Sequence, residues 1–317
     1  MFASFPTTRG ISVCHTLRLT SKGELIGPAV DRQAFSAVPN ACLLSDDSVS
    51  LGGITIKYLK RFDFDHHSTT QSVIIQHGDT KMVFVKGSPE AISKLCQPST
   101  LPVDFDTIAR NSARNGIYQL AIARGIYSGI KNMHELTRSD IEKDLIFTGM
   151  LNFSNPMKQE SPTVISELRA GGIEPAMITG DNTLTGVFIA KKTGIIRTYQ
   201  RVILGTLRDG FKVEWADAFD DSPAMDPVTS LPEHTVLAMT GELWRHLLQQ
   251  NPKTALALGK KTLVFGRCTP LDKVSIVSSF VKYVDITLMC GDGGNDSGAL
   301  KAAREYAILL IGLGHVL

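Results

Sequence analysis

The chain has 317 residues, of which 43% are hydrophobic and 20% are charged, with a formal net charge of +2. This length allows two domains with buried cores, and the small net charge gives no reason to expect nucleic acid as a partner. The five cysteines have no CxxC spacing, so we expect reduced thiols rather than a zinc site or disulfides. No apolar run approaches the roughly 20 residues of a membrane helix, and no signal peptide is recognisable. As given, the sequence is predicted to be soluble, which leaves room for its being part of a larger membrane protein.

The first part of the chain, residues 1–148, combines short apolar runs with hairpin-type turns. The strand-like runs are ISVCHTLRL, SLGGITIKYL, SVIIQHG, KMVFVKG and YQLAIARG, with turn candidates at SKGE and QHGDT. Helical patterns fall at SPEAISKLC, FDTIARNSARNG and TRSDIEKDL. This mixture predicts an α+β domain with an antiparallel sheet.

The second part of the chain, residues 149–317, alternates strand patterns with helix patterns. The strand candidates are LIFTGMLNF, which begins just before this part, IEPAMIT, KTLVFGR and DITLMC. The helix candidates are SPTVISELRAGG, TLTGVFIAKKTG, PLDKVSIVSSFVKY and SGALKAAR. The alternation predicts βαβ units with a parallel sheet. We expect a surface loop or insertion at 197–233, which is polar and contains proline, and a hinge at Asn155–Pro156.

Three strand candidates of the second part end in polar residues. MITGDN ends one strand, FGRCTPLDK follows another and CGDGGND ends a third. Because ligands bind at the carboxyl ends of parallel strands, these segments should converge if the strands share one sheet. The residues expected to converge are Thr179, Gly180, Asp181, Arg267, Lys273, Asp292, Asn295 and Asp296.

These residue types suit a site that handles a phosphoryl group. A hydroxyl and backbone N–H groups at a helix N-terminus hold phosphate oxygens, and a lysine neutralises their charge. Carboxylates nearby hold Mg²⁺, which prefers oxygen ligands. Alone, each segment is compatible with an ordinary turn, a helix cap or a solvated lysine. Their occurrence in order, each after a predicted strand, favours a site.

One segment of the first part fits the same chemistry. In FVKGSPEAI, Lys86 and Gly87 end a strand, and Pro89 and Glu90 open a helix. A lysine at such a point can lie along a phosphate chain or an adenine ring, although the same residues also make a common turn.

Four segments together resemble the ordered motifs of P-type ATPases. KGSPE is similar to KGxPE of the nucleotide-binding domain, and MITGDN, FGRCTPLDK and CGDGGND are similar to TGDN, FxRxxPxxK and GDGxND of the phosphorylation domain. CHTLRLTSKGELIG and DLIFTGMLNFSNPMK resemble the type V subfamily, and NPMKQESPTVISEL leans toward its B branch, with the A branch as the alternative. The resemblance covers nearly the whole chain and thins at 197–233 and after Arg304.

The resemblance implies a fold, a reaction and a set of roles. The fold would be a nucleotide-binding domain followed by an incomplete α/β domain of the haloacid dehalogenase-like, Rossmannoid type. The whole protein would use ATP and Mg²⁺ to transport a cation or polyamine, with this part on the cytosolic face of a membrane and the actuator and membrane domains as partners. The implied roles are nucleotide contacts for Phe64, Lys86, Gly87 and Arg267, catalytic contacts for Thr179, Gly180, Asp181, Lys273, Asn295 and Asp296, and Mg²⁺ coordination for Asp292 and Asp296.

The main departure from the family is the nucleophile. The family's DKTGT segment, which carries the aspartate that accepts the phosphoryl group, is not in the sequence, so we expect it upstream of Met1 and expect this part alone to be inactive. DFDHH at Asp63 and DFDTI at Asp104 have the spacing of the superfamily's aspartate motif but lack its last residue and follow no strand end. ALALGKKT resembles a P-loop but lacks the first glycine.

Smaller departures concern nucleotide affinity and the end of the chain. Thr69 and Thr70 stand where the family has a basic residue, and Tyr118 stands where it has an arginine, so weak nucleotide binding is expected. YAILLIGLGHVL follows the family only loosely, which predicts a truncated or mis-spliced gene model. Two alternatives remain, a stand-alone phosphatase of the haloacid dehalogenase superfamily and a non-catalytic nucleotide-binding module.

Overall fold

The computed structural model describes residues 5–65, 67–154, 156–283, 287–291, 294–303 and 305–308. These residues form two compact units. One contains the described chain up to Ala109 together with Gln119–Phe153, and the other contains Arg110–Tyr118 together with the described chain from Ser154. Asn155, in the predicted hinge, lies outside the described residues.

The first unit combines an antiparallel sheet with helices, as predicted. Its helices are α1 (Phe5–Val13), α2 (Ala29–Ser36), α3 (Pro89–Leu95), α4 (Phe105–Arg114, whose end belongs to the second unit) and α5 (Arg138–Ile141). Its strands are β1 (Arg18–Leu19), β2 (Leu25–Ile26), β3 (Ala41–Ser45), β4 (Ser48–Leu51), β5 (Ile54–Asp65), β6 (Thr70–His77), β7 (Thr80–Gly87), β8 (Tyr118–Ile126) and β9 (Ile146–Phe153). Strands β3 to β9 form a seven-stranded sheet in chain order, antiparallel from β3 to β8, and β1 pairs with β2.

Both faces of this sheet are buried, which explains why its central strands are apolar at successive positions. In β7, Met82 and Phe84 belong to a core cluster that includes residues of α1 and α2. Val83 and Val85 belong to a second cluster, which includes residues of α3 and α5. Because side chains alternate along a strand, Lys86 lies on the same face as Phe84, the face covered by α2.

Two segments of the first unit differ from their predictions. ISVCHTLRL is predicted to be a strand, but its first residues end helix α1, and only Arg18 and Leu19 are in a strand. Ile11 and Val13 are buried in the first core cluster, and this burial outweighs their low helix propensity. The strand LIFTGMLNF forms β9 at the edge of the seven-stranded sheet instead of beginning the second sheet.

The second unit contains a mixed sheet with parallel strands. Its helices are α6 (Ser161–Ala170), α7 (Thr183–Thr193), α8 (Gly241–Gln250), α9 (Pro252–Gly259), α10 (Pro270–Tyr283) and α11 (Ser297–Ala302). Its strands are β10 (Met177–Ile178), β11 (Arg201–Arg208), β12 (Lys212–Asp217), β13 (Thr235–Thr240), β14 (Thr262–Gly266), β15 (Leu288–Gly291) and β16 (Glu305–Ile308). The main sheet has the order β10-β14-β13-β11-β12, in which the first four strands are parallel and β12 is antiparallel to β11.

The segment 197–233, predicted as a loop or insertion, contains a hairpin over residues 201–217, where β11 and β12 extend the main sheet. Asp209 and Gly210 at its turn have φ angles of 53° and 78°, as in a type I′ turn. Val202 and Trp215 are buried and anchor the two strands. The Asp-Gly pair was the sequence signal for this hairpin, although the charged residues around it are more typical of a loop.

Strand β15, which leads into the third polar segment, pairs in parallel with β16 and not with the main sheet. Of the three strands expected to share one sheet, only β10 and β14 do so. Ile178 of β10 packs against a cluster formed by Val277, Met289 and Ala299, so β10 and β15 are linked through side-chain packing. Within the described part of the chain, no helix has the length and apolarity needed to cross a bilayer.

Candidate functional site

The first two polar segments lie side by side at the carboxyl ends of β10 and β14. The N–H of Thr179 donates to the carbonyl of Phe265 (2.8 Å), and the N–H of Cys268 donates to the carbonyl of Thr179 (3.0 Å). The N–H of Arg267 donates to the carbonyl of Asp181 (2.8 Å). These backbone bonds continue the pairing of the two strands beyond their ends, so the segments TGD and RC form one fixed rim.

Helix α7 begins at this rim. The side chain of Asn182 caps it by accepting the N–H of Leu184 (2.9 Å). Gly266 is required where β14 meets this helix, because a Cβ there would lie 2.4 Å from the Cα of Thr183. The helix therefore starts directly against the strand, with Gly180 exposed just before it. A helix N-terminus carries partial positive charge and unsatisfied N–H groups, which favour a phosphate.

Arg267 occupies an unusual backbone conformation at the same rim. Its φ angle is 51°, which is left-handed and uncommon for a residue other than glycine. Such a conformation costs on the order of 1 kcal/mol and persists only where surrounding bonds hold it. Here the bond from its N–H to Asp181 holds it in place.

The second and third polar segments are joined by a buried ion pair. The Nζ atom of Lys273, in the first turn of α10, donates to Oδ1 of Asp296 at 2.6 Å. The two residues are only 6% and 7% exposed. Gly291, at the end of β15, makes room for this pair, because a Cβ there would lie 2.8 Å from the Cβ of Asp296.

Two further charged residues, Asp272 and Arg245, support Lys273 and were not identified from the sequence. Asp272 is 1% exposed, and its Oδ2 accepts the N–H (2.7 Å) and the hydroxyl (2.8 Å) of Thr269. Arg245 of α8 also donates to its carboxylate. Asp272 thus fixes the start of α10 and, with it, the neighbouring Lys273. The spacing T-x-x-D in TPLD is the capping-box signal that could have identified this aspartate.

Part of the third segment cannot be compared with its prediction. Asp292 lies outside the described residues, and so does the side chain of Asn295. Among the residues that are described, no group of three or more His, Cys, Asp or Glu side chains could hold a metal ion. Oxygen ligands of the kind that Mg²⁺ prefers are the hydroxyl of Thr179 and the carboxylate of Asp181 at the rim, and the carboxylate of Asp296 in the third segment. Of these, Asp296 is already bound to Lys273.

In the first unit, Lys86 is buried and paired rather than exposed. It is 6% exposed, and its Nζ donates to Oδ1 of Asp31 on α2, which is also 6% exposed. The same carboxylate accepts the N–H of Thr16 through Oδ2 (3.0 Å). A ligand that binds the ammonium group of Lys86 must therefore compete with, or join, Asp31. Asp31 was not identified from the sequence, and no local pattern links it to Lys86.

The buried environment around Lys86 and Asp31 also shifts the pKa values of two neighbouring side chains. Burial, and then the positive charge of Arg61, lower the pKa of His15 to about 4. Burial raises the pKa of the Cys14 thiol to about 12. His15 accepts the N–H of Leu17 at Nδ1 (3.2 Å) and lies 3.0 Å from the carbonyl of Ser12 through Nε2. This arrangement suits a neutral imidazole that carries its proton on Nε2, so both groups are uncharged at neutral pH.

Gly87 lies at a tight corner next to Lys86. A Cβ on Gly87 would be 2.5 Å from the carbonyl oxygen of Thr69, which also accepts the N–H of Ser88 (3.2 Å). Thr69 itself has a left-handed φ of 51°. Phe64, 47% exposed on β5, and Tyr118, at the start of β8, lie on other strands of the same sheet.

Comparison with known proteins gives a consistent set of relatives, although no family model matches the chain. It is 31% identical over 340 residues to the probable cation-transporting ATPase 13A4 of Gallus gallus, covering 94% of this chain and 28% of the relative. It is 29% identical to the polyamine-transporting ATPase 13A3 of Homo sapiens, covering 88% of this chain and 25% of the relative. It is also 29% identical to the endoplasmic reticulum transmembrane helix translocase of Schizosaccharomyces pombe, covering 90% of this chain and 24% of the relative.

The chain thus spans about a quarter of the length of the curated relatives it matches. Nearly equal identities to the 13A proteins and to the helix translocase do not separate the two branches of the subfamily. The homologues of this chain are type V P-type ATPases, which are enzymes that hydrolyse ATP.

Proposed function

We propose that the chain is the ATP-binding and phosphoryl-transfer portion of a type V P-type ATPase. In this proposal, residues 1–148 bind the nucleotide, and residues 149–317 form the carboxyl-terminal part of a haloacid dehalogenase-like phosphorylation domain. The observation that carries it is the ion pair between Lys273 and Asp296, which joins two of the polar segments. The backbone bonds at Thr179 connect the remaining segment to the same rim.

Each residue of the proposed phosphoryl site has a role that follows from its chemistry. The hydroxyl of Thr179 and the amide of Asn295 would hold phosphoryl oxygens, and Lys273 would neutralise their charge. Asp296 keeps Lys273 in position. Gly180 and Asp181, at the start of α7, would approach the nucleotide phosphates. Positioning and charge neutralisation are the main contributions a protein makes to phosphoryl transfer.

Mg²⁺ is the metal ion proposed for this site. Asp292 and Asp296 are the proposed ligands in this chain, and the ion would neutralise charge on the transferred group. The acceptor aspartate of the family's DKTGT segment is not in the sequence. The proposed reaction therefore requires an aspartate that this sequence does not supply.

Nucleotide binding is assigned to the first unit. Lys86 would contact the phosphates or the base, with Phe64 and Gly87 as further contacts. Arg267 of the second unit is a separate proposed nucleotide contact. The buried pair of Lys86 with Asp31 favours weak binding, because the ammonium group is already neutralised. The same observation supports a second candidate, a non-catalytic nucleotide-binding module.

The transported species is proposed from the names of the relatives and from one segment of the sequence. Two of them carry names that refer to transport of cations or of polyamines, and the third to translocation of transmembrane helices. We favour the B branch, and hence a cation or polyamine, because of NPMKQESPTVISEL. This portion would then lie on the cytosolic face of a membrane and work with actuator and membrane domains.

A stand-alone phosphatase has less support. Asp63 lies within β5 of the antiparallel sheet, and Asp104 immediately precedes α4. Neither ends a parallel strand, which is where the nucleophile of that superfamily is expected. Both belong to the first unit, whereas Thr179 and Lys273 belong to the second.

The proposal is tested with ATP on the 317-residue chain. A fluorescent ATP analogue should bind wild type, and Lys86→Ala should abolish this binding while Lys81→Ala, on the same strand, retains it. With radiolabelled ATP and Mg²⁺, no acid-stable label should form, because the acceptor aspartate is missing. A hydroxylamine-sensitive label on the chain would contradict this account, and so would nucleotide binding that is indifferent to Lys86.

A further inference from the structure

A polar cavity lies at the end of the parallel strands opposite to Thr179. It has a volume of about 320 Å³ and is lined at the amino-terminal ends of the parallel strands. Thr235 is the first residue of β13, and Lys260 and Lys261 immediately precede β14. Arg197 and Gln200 lie just before β11. The cavity is therefore separated from the candidate phosphoryl rim by the length of the strands.

Positive charge dominates the lining of this cavity. Arg169, Arg197, Lys260 and Lys261 face a single carboxylate, that of Glu174. Glu174 pairs with Arg169 at 3.3 Å and more weakly with Arg197 at 3.8 Å.

The cations of the lining are not equally compensated. Arg169 also donates to the carbonyls of Gly194 and Ile195, at the carboxyl end of α7, so it stabilises the end of this helix. The ammonium groups of Lys260 and Lys261 have no ion pair or hydrogen bond among the described residues. The uncompensated charge of the cavity is thus concentrated on these two lysines and, in part, on Arg197.

A buried hydroxyl at the wall of the cavity gives an independent indication of a ligand. Thr235 is 7% exposed, and its Oγ1 has no hydrogen-bond partner among the described residues. A buried hydroxyl without a partner is unfavourable, and most such groups in proteins are satisfied. Because Thr235 lines the cavity, the oxygen of a ligand bound there could accept the proton of this hydroxyl.

We propose that this cavity binds a phosphate group that carries two negative charges, either free or as the phosphomonoester of a lipid headgroup. Arginine and lysine side chains around a small cavity match the charge and the oxygens of such a group. The volume suits a small anion and not a folded partner. The sequence ALALGKKT, which resembles a P-loop, supplies the two lysines, but in this fold it runs from helix α9 to strand β14, the reverse of a P-loop.

Titration of the 317-residue chain with inorganic phosphate at constant ionic strength tests the proposal. In the variant with Lys260→Gln and Lys261→Gln, the phosphate affinity of this site should be lower by a factor of about ten or more, because two charge-assisted contacts are lost. Lys253→Gln, at the other end of α9, is the matched control and should bind like wild type. Phosphate that the double variant binds with unchanged affinity reports other sites, such as the rim at Thr179. Equal binding by wild type and the double variant, or equal loss in the control, would overturn the proposal.

Thr235→Val separates binding from folding. Valine has the shape of threonine without the hydroxyl, and this hydroxyl has no partner to lose, so the melting temperature should not fall. Phosphate affinity should fall about threefold or more, because a hydrogen bond to the ligand is lost. An unchanged affinity would remove Thr235 from the site and overturn the proposal in this form.

Vesicle sedimentation distinguishes the two sources of the phosphate group. Vesicles of phosphatidylcholine with phosphatidic acid present a phosphomonoester, and vesicles with phosphatidylserine at matched surface charge present a phosphodiester. A preference for phosphatidic acid that the double lysine variant loses would identify a lipid headgroup. Phosphate binding with no vesicle preference would identify a free anion. Equal binding to both vesicles without phosphate binding would show only general electrostatic attraction and would refute the proposal.

Discussion

Lys273 and Asp296 form an ion pair between two buried side chains, with Nζ and Oδ1 2.6 Å apart. Removing one partner of such a pair leaves an uncompensated buried charge, which is strongly unfavourable. We expect Lys273→Met or Asp296→Leu to lower the free energy of unfolding by about 3 to 5 kcal/mol, measured by urea denaturation. The double variant should recover most of this loss, because two apolar side chains can fill the same space.

The pair of exposed Lys212 with half-buried Glu214, 3.1 Å apart on the β12 strand, provides the control for that experiment. Exposed ion pairs contribute little to stability, so Lys212→Met should leave the unfolding midpoint nearly unchanged. If Lys273→Met behaved in the same way, the pair of Lys273 with Asp296 would not be buried in solution.

A glycine pair tests the geometry of the same site without changing any charge. Gly291→Ala would place a Cβ 2.8 Å from the Cβ of Asp296, so the pair with Lys273 must shift. We expect a loss of about 1 to 3 kcal/mol in urea denaturation, as is typical of overpacking. Gly294→Ala is the control, because a Cβ there meets nothing within 4 Å. Equal stability of the two variants would contradict the close approach of Gly291 to Asp296.

Local features of the fold could be predicted from the sequence, because short-range rules determine them. Gly194 ends α7 with a left-handed φ of 82°, and Ser88 caps α3 just after the KG pair. The QHGDT turn also joins β6 to β7 as predicted. In contrast, α1 depends on burial against a sheet formed much later in the chain, which no local pattern contains.

The candidate site, too, could be predicted from the sequence only in part. The polar ends of β10 and β14 could be predicted to meet, because parallel neighbouring strands bring their carboxyl ends together. The pairing of Lys86 with Asp31 could not, because the two residues are 55 positions apart and meet only after α2 packs on the sheet. Asp272, in contrast, could have been predicted as a capping residue, because the T-x-x-D spacing that identifies it is local.

Asp31 provides a test of how nucleotide binding and folding are coupled. Asp31→Asn leaves the buried ammonium of Lys86 without a counter-charge. We therefore expect the free energy of unfolding to fall by about 3 kcal/mol or more, and the melting temperature to fall with it. ATP phosphates could replace the missing carboxylate. ATP should therefore raise the melting temperature of Asp31→Asn by more than it raises that of wild type.

Lys86→Ala completes this comparison, because it removes the group that both Asp31 and ATP would bind. ATP should then shift the melting temperature of the Lys86→Ala variant least of the three proteins. Equal shifts in all three would mean that ATP binds elsewhere in the chain.

The final prediction concerns pH and rests on His15, whose pKa is lowered from 6.5 to about 4. Burial is the main cause, followed by the charge of Arg61, with Lys86 acting in the same direction and Asp31 opposing it. Between pH 6.5 and pH 4 the unfolded chain binds a proton at His15 that the folded chain does not. Stability from the neutral imidazole is therefore fully present above pH 6.5 and is lost as the pH falls toward 4, by up to about 3 kcal/mol.

The measurement is the free energy of unfolding in urea as a function of pH for wild type and His15→Gln. Glutamine keeps hydrogen-bonding capacity but does not titrate. The stability lost with the ring contacts of His15 to Phe35 and Tyr58 should therefore be the same at every pH. Subtracting the two curves removes the carboxylates, such as Asp140, that also titrate in acid. The difference should favour wild type most at neutral pH and shrink as the pH falls from 6.5 to 4. A difference that stays constant over this range would show that the imidazole of His15 reaches solvent, and that the environment of Lys86 and Asp31 is more open than the structure describes.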